Sequence, residues 1–148
     1  ENRLKYSPYI REAVVLGHGR PFVTALIELD PENVQNWARK RGIPFTTYLS
    51  LTERPEVKAL IAEEIRMVNK TLPDKLKIQR FAILPKELHP DDEEITRTRK
   101  VRRQVVEARY GPVIQALYGE GGRVEVVLPI RYLEGEGRLE ATLEVQEV

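Results

Sequence analysis

Two short apolar runs, Ala13-Val14-Val15-Leu16 and Phe22 to Leu29, are separated only by Gly17-His18-Gly19-Arg20-Pro21. Short runs of mostly β-branched character around a glycine-rich turn predict an antiparallel β-hairpin. Asp30-Pro31-Glu32 then has helix-start chemistry: Asp as N-cap, Pro at the first helical position, Glu in the first turn. Val34, Trp37 and Ala38 fall on one face of that helix, which places Trp37 in the core, and Gly42 is placed to end it. Thr46 to Thr52 reads as a polar and aromatic connection. A second helix starts at Glu53-Arg54-Pro55-Glu56 and carries an apolar stripe through Val57, Leu60, Ile61, Ile65 and Val68. Lys77 to Leu84 reads as a third strand, closed by Pro85. The prediction is an α+β fold, a small mixed β-sheet flanked by helices.

Both ends of the chain fit that plan. Glu1 to Tyr6 reads as the end of a helix, stopped by Pro8. A later helix over Val101 to Tyr110 would turn Val101, Val105 and Ala108 inward, with Pro112 interrupting it and a further turn or two running through Ile114 and Leu117. After Gly119, Gly121 and Gly122, the arms Val124 to Leu133 and Leu139 to Val148 flank Glu134-Gly135-Glu136-Gly137. The second arm alternates Leu139, Ala141, Leu143 and Val145 against polar residues, which predicts a C-terminal β-hairpin. Pro129 suggests a bulge or an edge in the first arm. The expected division is a domain over residues 1–118 and a hairpin extension over residues 119–148. With no initiating methionine and a start inside a helix, a fragment of a longer protein is expected.

Several function classes drop out on composition. The chain has no cysteine, so disulfides, thiolate metal sites and thiol catalysis are excluded. His18 and His89 are far apart and form no HxxxH-type pair, so no metal site is expected. No apolar run approaches the length of a membrane-spanning helix. Net charge is +1, which gives no global field toward nucleic acid. The charge is uneven, however. Acidic Asp91 to Glu94 precede Arg97, Arg99, Lys100, Arg102 and Arg103. Lys100 sits where a polar loop hands over to an amphipathic helix, so its long stem and compact charge are placed to reach a neighbouring site.

The stretches ENRLKYSPYIREAVVLGHGRPFVTALIELDPENVQNWA, LIAEEIRMVNKTL and KIQRFAILPKELHPDDEEITRTRKVRR together resemble the C-terminal domain of the adenylate-forming superfamily, in its bacterial long-chain acyl-CoA synthetase branch. The likeness runs from Glu1 to about Tyr118. The superfamily's last core motif ends in a lysine, usually after a glycine, and that lysine corresponds to Lys100. Arg99 stands in place of the glycine. Glu93 stands where the branch often has Gly, and His18 where it often has Asp.

That resemblance implies a role and a set of partners. Lys100 would be the catalytic lysine for ATP-dependent fatty acid adenylation, acting by charge and position rather than as a nucleophile. Arg102, Arg103 and Lys70 would contact coenzyme A or the neighbouring domain. Arg66, Lys75 and Lys77 are further candidates for the nucleotide end of coenzyme A. ATP, Mg2+ and coenzyme A are implied for the full-length enzyme, with an N-terminal adenylation domain of the same protein as partner and a fatty acid as substrate. None of these is expected bound to the chain alone, because the Ser/Thr/Gly-rich phosphate loop of that other domain is not in this sequence. The resemblance implies a cytoplasmic protein; peripheral contact with the inner membrane and a homodimer are left open. Two rival readings stand beside it. A nucleic-acid-binding module would use Arg97 to Arg103, but the run has no interleaved aromatic and follows four acids. A non-catalytic interaction domain of the same fold would have no need of the motif lysine.

Overall fold

A computed structural model describes residues 2–17, 19–119, 122–130 and 137–148. His18, the Glu134-Gly135-Glu136 part of the C-terminal turn and the end of that hairpin's first arm lie outside the described residues. The chain divides into two compact units, Glu1–Lys86 with Gln146–Val148, and Glu87–Val145.

The first unit is built on a four-stranded mixed sheet. β1 (Ile10–Leu16) and β2 (Val23–Leu29) form the expected antiparallel hairpin, in register from Glu12↔Glu28 to Leu16↔Thr24. β3 (Ile78–Ile83) lies parallel to β2, with Ala25↔Phe81 and Ile27↔Ile83. Ala13, Ala25, Ile27, Phe81 and Ile83 contribute to one core. The same core receives Leu4 of α1 (Asn2–Lys5), Val34 and Ala38 of α2 (Pro31–Lys40), Leu51 of α3 (Tyr48–Glu53) and Val57, Ile61 and Ile65 of α4 (Pro55–Asn69). Ala25, Ile27, Val34, Ile61, Ile65 and Phe81 are fully shielded from solvent. Each larger side chain among them contributes roughly 1.5–3 kcal/mol by leaving water.

Helix starts follow local chemistry. The Asp30 carboxylate accepts from the Asn33 amide at 3.0 Å, satisfying one of the orphan donors of α2. Gly42 takes φ 68° beyond its end, a left-handed step that glycine makes without strain. At the start of α4, Arg54 and Glu56 pair at 2.7 Å. The hydrogen bond from Arg54 holds the Glu56 carboxyl below its ordinary pKa. Trp37 is half-buried against the core, edge-on to Tyr9, with the Arg41 guanidinium 4.6 Å over its ring.

Two expectations need correction here. Thr46 to Thr52 is not a connection throughout, because it contains α3. The Thr47 hydroxyl accepts from the Ser50 amide at 3.1 Å, and the Ser50 hydroxyl accepts from the Thr47 amide at 2.8 Å. Serine fills the place usually read from Glu or Gln in a capping box, and six residues are too few to display a helical period. The C-terminal arm is also not one strand. β5 (Gly137–Glu144) pairs with β4 (Arg123–Ile130) in an unshifted antiparallel register. The chain then leaves it, and β6 (Gln146–Glu147) joins the larger sheet beside β3, through Arg80↔Glu147 and Phe81↔Gln146. The sheet order is β1-β2-β3-β6, with β4-β5 as a separate pair. Pro129 sits opposite Arg138 without a bulge, in a sheet where each strand has an open edge.

Candidate functional site

The segment from Glu87 to Arg109 belongs to the second unit. Pro90–Asp92 makes a single tight helical turn, after which Glu93 takes φ 65°. The next residues go inward: Asp92 and Glu94 are fully buried and Ile95 is 1% exposed. Buried carboxylates need compensation. Arg109, on α5 (Arg103–Arg109), supplies part of it with its guanidinium 3.6 Å from the Glu94 carboxylate, and it also donates to the carbonyl of Asp92. The helix after the loop thus ties down the root of the loop.

From that root the chain runs out and back. Ile95 and Val101 form an antiparallel bridge, and Arg102 N–H donates to the Glu94 carbonyl at 2.9 Å. Inside the bridge, Thr96 N–H donates to the Lys100 carbonyl at 2.8 Å, and Arg99 N–H donates to the Thr96 carbonyl at 2.9 Å. Arg99 has φ 65°. Three connecting residues with the last one left-handed is a standard short hairpin geometry, and it favours glycine at that last position. The left-handed backbone gives a physical reason for the glycine usual before the motif lysine, and Glu93 has the same backbone and the same departure from glycine.

The tip is solvent-facing. Arg97, Arg99, Lys100, Arg102 and Arg103 are all exposed. Among the described residues, the Lys100 side chain makes no ion pair. Its main chain is held on both sides, since Lys100 N–H donates to the Thr96 hydroxyl at 3.0 Å. Arg97 is 4.0 Å from Asp91, whose own amide donates to His89 Nδ1 at 3.1 Å. The arrangement is a hydrogen-bonded stem with an exposed cation at its tip, and it can present positive charge to an anion from a tethered backbone.

Of the residues singled out in the sequence, the hairpin and the start of α5 bring together Lys100, Arg102 and Arg103. α5 begins at Arg103, later than the expected Val101, because Val101 is engaged in the bridge. Its inward residues are accordingly Val106 and Tyr110, while Val101 and Val105 are half-buried and Ala108 is exposed. Pro112 stands in the first turn of a new helix, α6 (Gly111–Tyr118), which buries Val113, Ile114 and Leu117. Lys70 is elsewhere, exposed at the C-terminus of α4 in the first unit. Arg66 pairs with Glu63 at 3.0 Å, and Lys77 with Asp74 at 2.9 Å. Hydrogen bonding from Lys77 holds the Asp74 carboxyl below its usual range. Lys75 lines a cleft of about 720 Å³ with Arg3, Arg20, Phe22, Leu72 and Leu76. The sequence reading missed Arg3 and Arg20 there, as well as Thr96 in the hairpin. Arg3, Arg20 and Lys75 are too distant in sequence to form a motif, whereas Thr96 stands four residues before the lysine and was open to recognition. Among the described residues no group of three or more His, Asp or Glu is placed to hold a metal ion. No described helix is long and apolar enough to cross a membrane.

The chain thus carries a small mixed sheet layered with helices and, later in sequence, a hairpin that displays a lysine. The chain belongs to the AMP-binding enzyme C-terminal domain family, which it matches over residues 1–121. It is 32% identical over 121 residues to the long-chain-fatty-acid–CoA ligase FadD15 of Mycobacterium tuberculosis, a match covering 81% of this chain and 20% of that protein. It is 34% identical over 122 residues to the putative fatty-acid–CoA ligase fadD11 of the same species, covering 82% of this chain and 21% of the relative. The chain therefore spans about a fifth of the length of the curated relatives it matches. Among solved structures, it resembles the A-PCP didomain of a carboxylic acid reductase from Segniliparus rugosus in complex with AMP. That likeness has a TM-score of 0.62 at 20% identity, covering 81% of this chain and 15% of that one, and it bears on the fold.

Proposed function

We propose that this chain is the C-terminal lid domain of an AMP-forming long-chain fatty acid–CoA ligase, with Lys100 as its catalytic residue. In this reading residues 1–118 form the lid and residues 119–148 an extension of it. The observation that carries it is Lys100 itself: an exposed cation without an ion pair among the described residues, on a backbone held at both its N–H and its C=O. In the first half-reaction a fatty acid carboxylate oxygen attacks the α-phosphorus of ATP. A P–O bond forms to the acyl group, and the bond to pyrophosphate breaks. Two anionic partners must approach, so a cation between them lowers their repulsion and orients them. A lysine, with a free pKa of about 10.4, carries that charge at neutral pH. In the second half-reaction the thiol sulfur of coenzyme A attacks the acyl carbonyl and AMP leaves.

Coenzyme A would draw on further cations of the chain. Arg102, Arg103 and Lys70 are assigned to its phosphates or to contact with the N-terminal adenylation domain. The cleft that holds Lys75 offers cations beside apolar walls, which suits a phosphorylated nucleotide with an apolar arm. Mg2+ would accompany ATP, held by its phosphates and by the other domain. The protein would act in the cytoplasm.

In the full chain that carries this segment, Lys100→Ala is expected to lower acyl-adenylate formation by a factor of at least about 100, the order of a lost preorganised electrostatic contact. Thioester formation from supplied acyl-adenylate should stay close to the parent rate. Equal loss in both half-reactions would make the residue structural, and no loss would remove it from the chemistry.

A further inference from the structure

We propose that Thr96 is the positioning residue for Lys100, locking the backbone of the lysine so that the flexible side chain starts from one fixed point. The proposal rests on the reading of Lys100 as the adenylation lysine. It is carried by hydrogen bonds that converge on one residue. Thr96 N–H donates to the Lys100 carbonyl at 2.8 Å, and the Thr96 carbonyl accepts from Arg99 N–H at 2.9 Å. The Thr96 hydroxyl accepts from Lys100 N–H at 3.0 Å and lies 3.1 Å from the Thr98 hydroxyl. The turn geometry explains why a side chain is needed. Arg99 N–H already bonds the Thr96 carbonyl, and the left-handed step at Arg99 rotates the next amide. The amide so displaced belongs to Lys100, and the Thr96 hydroxyl accepts its proton. Without that hydroxyl, water can take its place on this exposed hairpin, and the lysine's main chain loses one of its two tethers.

A lysine stem has many rotamers, and its ammonium lies far from its Cα. Small rotations of the backbone therefore become large displacements of the charge. Such displacement affects a step that needs the charge in one place, and leaves a step that does not use it.

The test uses the full enzyme chain and reads the two half-reactions separately. Thr96→Val keeps the shape and the backbone bonds but removes the hydroxyl acceptor. It is expected to lower kcat for acyl-adenylate formation about tenfold, with little change in the KM for ATP and with thioester formation from supplied acyl-adenylate unchanged. Thr96→Ser restores the hydroxyl and should return adenylation to near the parent rate. The proposal is overturned if Thr96→Val adenylates like the parent, if it slows both half-reactions alike, or if Thr96→Ser is as impaired as Thr96→Val. Lys100→Ala run alongside separates the two ideas. Full adenylation by that variant would sink the lysine reading itself, whereas a dead Lys100→Ala beside a normal Thr96→Val would sink only the role of Thr96.

Discussion

At the residue scale, backbone conformation explains two substitutions that composition alone leaves as oddities. Arg99 and Glu93 both hold φ 65°, a region that costs a non-glycine residue on the order of 1–3 kcal/mol. Glycine avoids that cost but loses more entropy on folding. Arg99→Gly is therefore expected to raise stability by up to about 1 kcal/mol, and the β-branched Arg99→Val to lower it by a similar amount. Thermal unfolding of the two variants beside the parent checks both signs. The proposed assignment of Lys100 as the motif residue rests on its sequence neighbours. That its amide is held by Thr96 was not legible there, because a hydroxyl four residues away is an acceptor only once the turn has closed.

At the element scale, apolar period and capping chemistry located the long pieces. β1, β2, β3, α2 and α4 all fall where short apolar runs, Asp30-Pro31 and Arg54-Pro55 place them. The shorter elements were less legible. α3 hides in a polar stretch because its start depends on Thr47 and Ser50 bonding each other reciprocally. α5 starts late because Val101 is bridged to Ile95. A further contact of this kind closes α4. The Asn69 amide group both accepts from Ile78 N–H and donates to the Ile78 carbonyl, each at 2.9 Å, in a buried setting. It acts as a strand neighbour for the first residue of β3. Asn69→Ala leaves both backbone groups without that partner, at an expected cost of about 2 kcal/mol. The midpoint of urea unfolding should fall accordingly, and Asn69→Asp should also destabilise because it keeps the acceptor but loses the donor.

At the scale of the whole molecule, the proposed chemistry needs parts that this segment does not itself supply. It holds the lysine but no Ser/Thr/Gly-rich phosphate loop, and it spans about a fifth of the relatives' length. The pure 148-residue chain is expected to form no acyl-adenylate from fatty acid and ATP. Detection of the adenylate, or of pyrophosphate release dependent on fatty acid, would show that the segment is catalytic without the partner domain. The final residues also serve the larger sheet, since β6 covers the edge of β3 with Val148 N–H donating to the Gln79 carbonyl at 3.1 Å. An edge strand left open is a template for unwanted pairing. The sequence by itself determined the α+β class, the first hairpin, the two main helices and the family likeness. These depend on local period, capping residues and spacing along the chain. Only the tertiary structure decided the parallel placement of β3 beside β2, the return of β6 to that sheet, the burial of Glu94 against Arg109 and the clamp of Thr96 on Lys100. Each of these joins groups whose meeting depends on how the backbone turns between them, and a linear pattern of polarity carries no record of that turn.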